Sequence, residues 1–210
     1  MSQDMSYKKR GKDPWKDFWR TPPAIFQAAN ERFQFTLDAA AAPETALCRS
    51  FITAEMDALV TPWVQGAALP RVWLNPPYSR TKAFTARCVD QSRAGALVAA
   101  LVPNTTDVIW WHRDVFGVAA EVWLYTGRIA FIHPLTGEVV RGNKGGSQLI
   151  VWTPDGPGAA GTRFGTLCHR TGLPLRPEDR GYWQLAARTL RASLTPDPRQ
   201  PALFESLEAV

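Results

Sequence analysis

Residues 71–78 read RVWLNPPY, and residues 96–103 read ALVAALVP. The first is an apolar run that must stop at Asn75, because Pro76 and Pro77 have no N–H to give a ladder. The second is apolar at nearly every position, as a central strand is when both its faces are covered. Between them, residues 81–92 have helical composition, with Phe84, Cys88 and Val89 on one face. A strand, a helix and a buried strand in succession set the frame for the rest of the chain.

Upstream, Thr21 reads as an N-cap and Pro22 as a first-turn residue. The helix they open repeats Ile25, Phe26, Ala29 and Phe33 at helical spacing. FTLDAAA (35–41) has a β-prone start that ends at Asp38, Pro43 starts or bounds another helix, and CRSFIT (48–53) reads as a short strand. Downstream, residues 104–107 form a polar loop and IWWHRDVF (109–116) a helix whose paired tryptophans make a packing face. EVWLYTG (121–127), RIAFIH (128–133) and SQLIVW (147–152) read as strands, the last two separated by the turn-rich PLTGEVVRGNKGG. Strands that alternate with helices and then cluster predict an α/β sheet, mostly parallel, with an antiparallel portion at its end. Residues 1–18 read as a basic arm, 19–152 as the main domain, and 153–210 as a linker and extension. In that extension Trp183, Ala186, Leu190 and Leu194 form one helical stripe suited to docking on the main core.

Composition narrows the function classes. The chain has 210 residues, room for one domain and a modest appendage, and its 45% hydrophobic and 20% charged residues are an ordinary globular balance. No run approaches 18 apolar residues, so no membrane partner is expected. The polar, basic N-terminus does not read as a secretory signal. Cys48, Cys88 and Cys168 are odd in number and widely spaced, which suits a reducing cytoplasm; Cys88 reads as a buried residue. His112, His133 and His169 share no ligand spacing with cysteines or acids, so no metal centre is expected. Charge is uneven along the chain: residues 1–20 carry six Lys/Arg against three Asp/Glu, residues 21–70 two against five, and residues 71–152 nine against five. An acidic stretch beside basic ones suits a site that takes a cationic ligand on one side and a polyanion on the other.

In an open α/β sheet, ligands bind beyond the carboxyl ends of the strands. Two such ends stand out, Asp38-Ala39-Ala40 and Asn75-Pro76-Pro77-Tyr78. The second, directly after an apolar strand, resembles the catalytic motif of amino-methyltransferases that use S-adenosylmethionine. Five runs in order extend the likeness: TPP-IF (21–26), FTLDAAA (35–41), DAL with its following Trp63 (57–63), VWLNPPYS (72–79), and GRIAFI with GNKGGSQLIVW (127–152). Together they resemble the phage-type DNA N6-adenine methyltransferases over about residues 15–152. That resemblance implies a three-layer Rossmann-like methyltransferase fold, S-adenosylmethionine as cofactor, double-stranded DNA as partner and a cytoplasmic location.

The chemistry explains the residue types. An exocyclic amino nitrogen is a poor nucleophile because its lone pair is delocalised into the ring. Acceptors at the Asn75 side chain and the Pro76 carbonyl can each take one amino hydrogen and favour a tetrahedral nitrogen as charge develops. Pro77 stiffens the loop, and Tyr78 offers a ring face for an extruded base. The resemblance further implies that Asp38, with Ala39 and Ala40, meets the cofactor's amino group. It puts Asp57 at the adenosine part, on ribose or adenine, and Trp19, Thr21 and Pro22 at the methionine end. Ser79, Arg80 and Lys82 follow the catalytic loop toward phosphates, and Arg128, Arg141, Asn143 and Lys144 bracket a Gly-rich hairpin suited to a groove. Only about 37 residues separate Asp38 from Asn75, too few for a large recognition insert, so recognition falls to later loops, to residues 153–210 or to a second subunit in a homodimer. The same tetrapeptide also suits cytosine N4, an RNA base or a glutamine side chain, and a non-catalytic DNA-binding module is a further alternative.

Overall fold

The structure, a computed structural model, describes Trp15 and residues 17–65, 69–141 and 145–175. The elements in chain order are α1 (Pro23–Phe33), β1 (Leu37–Asp38), β2 (Ser50–Phe51), β3 (Arg71–Leu74), α2 (Thr81–Arg93), β4 (Leu97–Pro103), α3 (Ile109–Asp114), β5 (Glu121–Tyr125), β6 (Ser147–Trp152) and β7 (Arg163–Leu167). All of them belong to the unit Met1–Pro174. The strands form one sheet in the order β2-β1-β3-β4-β6-β5-β7. Strands β2, β1, β3 and β4 run parallel; β6 is antiparallel to both β4 and β5, and β7 is parallel to β5. Every strand except β6 therefore ends at the same edge of the sheet.

Alternation along the strands divides the core in two. Val72, Leu74, Val98, Ala100 and Val102 face α2 and α3, where they meet Phe84, Cys88, Val89, Trp110 and Trp111. Trp73, Ala99, Leu101, Leu149 and Val151 face the other way, onto Ile25, Phe26, Ala29 and Phe33 of α1 and onto Ile129 and Phe131. Trp73 is fully buried, with the rings of Phe26 and Phe35 each 5.4 Å from its own. This fixes β3, and with it the loop that follows. On the opposite face, the buried Asp114 carboxylate accepts Thr85 Oγ1 at 2.7 Å and Arg113 Nε and Nη2 at 2.5 and 2.6 Å, locking α3 onto α2.

The expected α/β sheet is present, with β6 as its antiparallel strand, and four local expectations change. Helix α1 starts at Pro23 with Pro22 at the cap, so Thr21 lies one residue too early to cap it. No helix follows Pro43; Thr45 instead closes a turn onto Ala42, and Leu47 turns its N–H back to Asp38. RIAFIH does not join the sheet. Ile132 makes only isolated bridges, to Arg20 and to Val139, at the base of a narrow hairpin. The sheet also continues past Trp152 to β7, whose Gly165 lies so close to Trp123 that a Cβ would sit 2.3 Å from the ring. The stripe of Trp183, Ala186, Leu190 and Leu194 lies outside the described residues, as does most of the basic arm.

Candidate active site

The chain runs from β1 outward to β2 and then returns across β1 to β3, so the order reverses between β1 and β3. A crevice opens above the strand ends at such a reversal. Asp38 ends β1 in register with Trp73 on β3, and Asn75 lies two residues further along. Strand spacing and rise put the two Cα atoms roughly 8 Å apart.

Asp38 is 3% exposed. Its Oδ1 accepts the Ala40 N–H at 3.4 Å and its Oδ2 the Leu47 N–H at 3.1 Å. Burial pushes its carboxyl above the ordinary value of 3.8, and the two N–H bonds partly offset that. Among the described residues it has no salt-bridge partner. A buried carboxylate with no counter-charge is an open demand for a cation. Beside it, burial and the Asp38 charge push the Cys48 thiol up to about 12, which makes that cysteine unreactive. Ala39 donates its N–H to the Trp73 carbonyl at 2.9 Å and so ties this turn to β3. None of residues 39–42 has a positive φ, which is why alanines serve where a glycine turn is not needed.

Two further polar groups lie on the segments that the sequence assigned to the cofactor. Thr21 is 6% exposed, and its Oγ1 is buried with no hydrogen-bond partner among the described residues. Asp57 sits at φ 50°, a conformation that aspartate tolerates better than most residues, and its Oδ1 accepts the Leu59 N–H at 3.1 Å. Gln91 on α2 holds the same loop by accepting the N–H of Trp63 at 2.8 Å.

The Asn75–Tyr78 loop is rigid in its later half and open in its earlier one. The Pro77 carbonyl accepts the Arg80 N–H at 2.9 Å, and the Tyr78 carbonyl accepts Thr81 Oγ1 at 2.9 Å. Asn75 donates Nδ2 to the Trp19 carbonyl at 2.9 Å, which fixes its amide and leaves Oδ1 as the free acceptor. Among the described residues neither Asn75 Oδ1 nor the Pro76 carbonyl accepts a hydrogen bond. Tyr78, read from the sequence as a stacking face, is partly exposed. Its ring is partly buried and meets Phe131 edge-on at 6.2 Å, and its hydroxyl is enclosed beside Ser147 without a well-formed hydrogen bond. Burial raises the pKa of this hydroxyl and that of nearby Tyr125.

The N-terminal segment lies against this loop. Asp17 accepts both the N–H and the hydroxyl of Ser79, at 2.8 and 2.7 Å, so the donors that the sequence assigned to DNA phosphate are already engaged. Sequence reading placed Asp17 in a basic arm and missed it, because its partner is 62 residues away. Arg80, Lys82, Arg128 and Arg141 are exposed, with Arg80 over the Phe84 ring and Arg128 beside Gly146 near the start of β6. Asn143 and Lys144 lie outside the described residues.

Comparison with known proteins adds a second line of evidence. The model of the family "DNA N-6-adenine-methyltransferase (Dam)" matches residues 8–162. The chain is 30% identical over 154 residues to the DNA N-6-adenine-methyltransferase of Escherichia phage T1, a match covering 66% of this chain and 63% of that protein. It is 31% identical over 156 residues to the DNA N-6-adenine-methyltransferase of Haemophilus phage HP1 (strain HP1c1), covering 73% and 88% respectively.

Proposed function

The chain belongs to the DNA N-6-adenine-methyltransferase (Dam) family, and on that premise we propose that it transfers a methyl group from S-adenosylmethionine to the exocyclic N6 of an adenine flipped out of duplex DNA. The observation that carries this reading is the pair of acceptors unfilled among the described residues, Asn75 Oδ1 and the Pro76 carbonyl, at the end of β3. An adenine amino group has two hydrogens, one for each acceptor. Both contacts strengthen as the nitrogen becomes positive, so they favour the transition state over the ground state. Tyr78, packed against Phe131, braces the loop from behind.

Asp38 at the reversal of the sheet, and the residues that the sequence groups with it, have the chemistry to hold S-adenosylmethionine. Asp38, without a counter-charge among the described residues, suits its ammonium group, Thr21 Oγ1, without a partner among them, offers a buried polar contact with Trp19 and Pro22 beside it in sequence, and Asp57 offers a carboxylate to the adenosine end. When bound, the cofactor supplies an electrophilic methyl group on a sulfonium. Arg80, Lys82, Arg128 and Arg141 supply positive charge for the phosphate backbone. Target recognition falls to the loops after β5, to residues 153–210 or to a second copy in a homodimer. The reaction takes place where the DNA is, in the cytoplasm; among the described residues no helix is long and apolar enough to cross a membrane.

Asn75→Ala tests the two-acceptor argument. It is expected to lower single-turnover methyl transfer by about 10²–10³-fold, as loss of one preorganised polar contact does, while S-adenosylmethionine binds as before. Near-normal turnover would remove Asn75 from the mechanism.

A further inference from the structure

The geometry points to Asp17 as the positioning residue of the catalytic loop, acting through Ser79 while the adjacent Trp19 carbonyl acts through Asn75. Its catalytic readout rests on the function proposed above. Both carboxylate oxygens of Asp17 are used on one residue, taking the Ser79 N–H at 2.8 Å and the Ser79 hydroxyl at 2.7 Å. Charge-assisted pairs of this kind are stronger and more directional than neutral ones. Two residues on, the Trp19 carbonyl takes Asn75 Nδ2 at 2.9 Å. One three-residue segment thus grips both ends of Asn75–Ser79.

The grip is itself anchored. Arg20 and Ile132 exchange two backbone hydrogen bonds of 3.0 Å, and the rings of Trp15 and Trp19 meet the edge of His133 at 6.1 and 5.3 Å. The hairpin under them closes through the His133 N–H on the Glu138 carbonyl and the Val140 N–H on the Phe131 carbonyl. The consequence for chemistry lies in the Asn75 amide. If it rotated by half a turn it would set Oδ1 against the Trp19 carbonyl, so the clamp leaves the acceptor, not the donor, facing the crevice. A carboxylate next to exposed Arg80 and Lys82 works against DNA binding electrostatically. Its place is explained by what it holds.

The test is a double-mutant cycle in the full chain with Asp17→Ala, Ser79→Ala and both. Each single change should lower kcat roughly 10- to 100-fold, as a misplaced reacting group does, with KM for a DNA oligonucleotide little changed in Ser79→Ala and unchanged or somewhat lower in Asp17→Ala, which loses a negative charge. The double variant should be no slower than the slower single one, because the two residues act as a unit. Asp17→Asn, which keeps one acceptor, should recover part of the loss. Additive effects would overturn the proposal. So would a kept kcat with a lower KM for DNA in Asp17→Ala, which would mean that Asp17 fills a phosphate position. Hydrogen exchange gives an arm independent of activity: the Ser79 amide should exchange faster in Asp17→Ala while β3 and β4 are unchanged, and unaltered exchange would contradict the clamp. If the wild-type chain methylates no nucleic acid, the proposed function fails and the exchange measurement still decides the clamp.

Discussion

At the scale of single residues, the account turns on which polar groups lack partners. Asp38 is buried, and both its oxygens are held by backbone N–H groups with no cation nearby among the described residues. Its raised pKa gives a signed prediction. A protonated Asp38 must lose its proton before it can pair with an ammonium group, so cofactor affinity should rise with pH across a window lying above 3.8 and then level off. Asp38→Asn should bind the cofactor more weakly and flatten that pH profile; titration calorimetry across pH measures both. The same shift acts on folding with the opposite sense. The contribution of Asp38 to stability is present below the unfolded value and is lost as pH rises through the raised one. Asp57 separates backbone from side chain. Asp57→Gly keeps the φ of 50° without strain and removes the carboxylate, so weaker cofactor binding is the expected result, with only the small stability loss of the Leu59 N–H contact.

At the scale of elements, β3 is the platform of the site, and Trp73 is what fixes it. Trp73→Ala removes a fully buried ring that meets Phe26 and Phe35, and should cost about 3–5 kcal/mol in chemical denaturation. Elements of this kind were legible in the sequence. Helix α1 announces itself because its burial follows the helical period, Ile25, Phe26, Ala29 and Phe33 being its buried residues, and strands β3 and β4 because they are short continuous apolar runs covered on both faces. The loop after β3 was legible because two prolines cannot continue a strand. What was not legible depends on partners distant in sequence. RIAFIH has strand composition but pairs with Arg20 and Val139 through single bridges, and β7 is a short run, RFGTL, that gains its place from β5 and from the room left by Gly165. Asp17 gave no signal at all, since nothing local marks a carboxylate that will bind Ser79. Tyr78 was identified as part of the motif, but whether its ring faced solvent or Phe131 was a matter of packing.

At the scale of the whole molecule, six of the seven described strands end at one edge, and Asp38 and Asn75 follow from two of those ends. The net charge of +5 and the exposed arginines near that edge make DNA affinity salt-dependent. If Arg128 meets a phosphate, Arg128→Ala should reduce the slope of log affinity against log salt by about 1; an unchanged slope in a binding titration would take it off the phosphate backbone. The central claim is the identity of the reaction. Its most direct test is transfer of labelled methyl from S-adenosylmethionine to unmethylated duplex DNA, with digestion to nucleosides and identification of the labelled product. The account predicts label in N6-methyladenine and none with Asn75→Ala. Label in N4-methylcytosine, label only with RNA or protein as acceptor, or no transfer at all would contradict it.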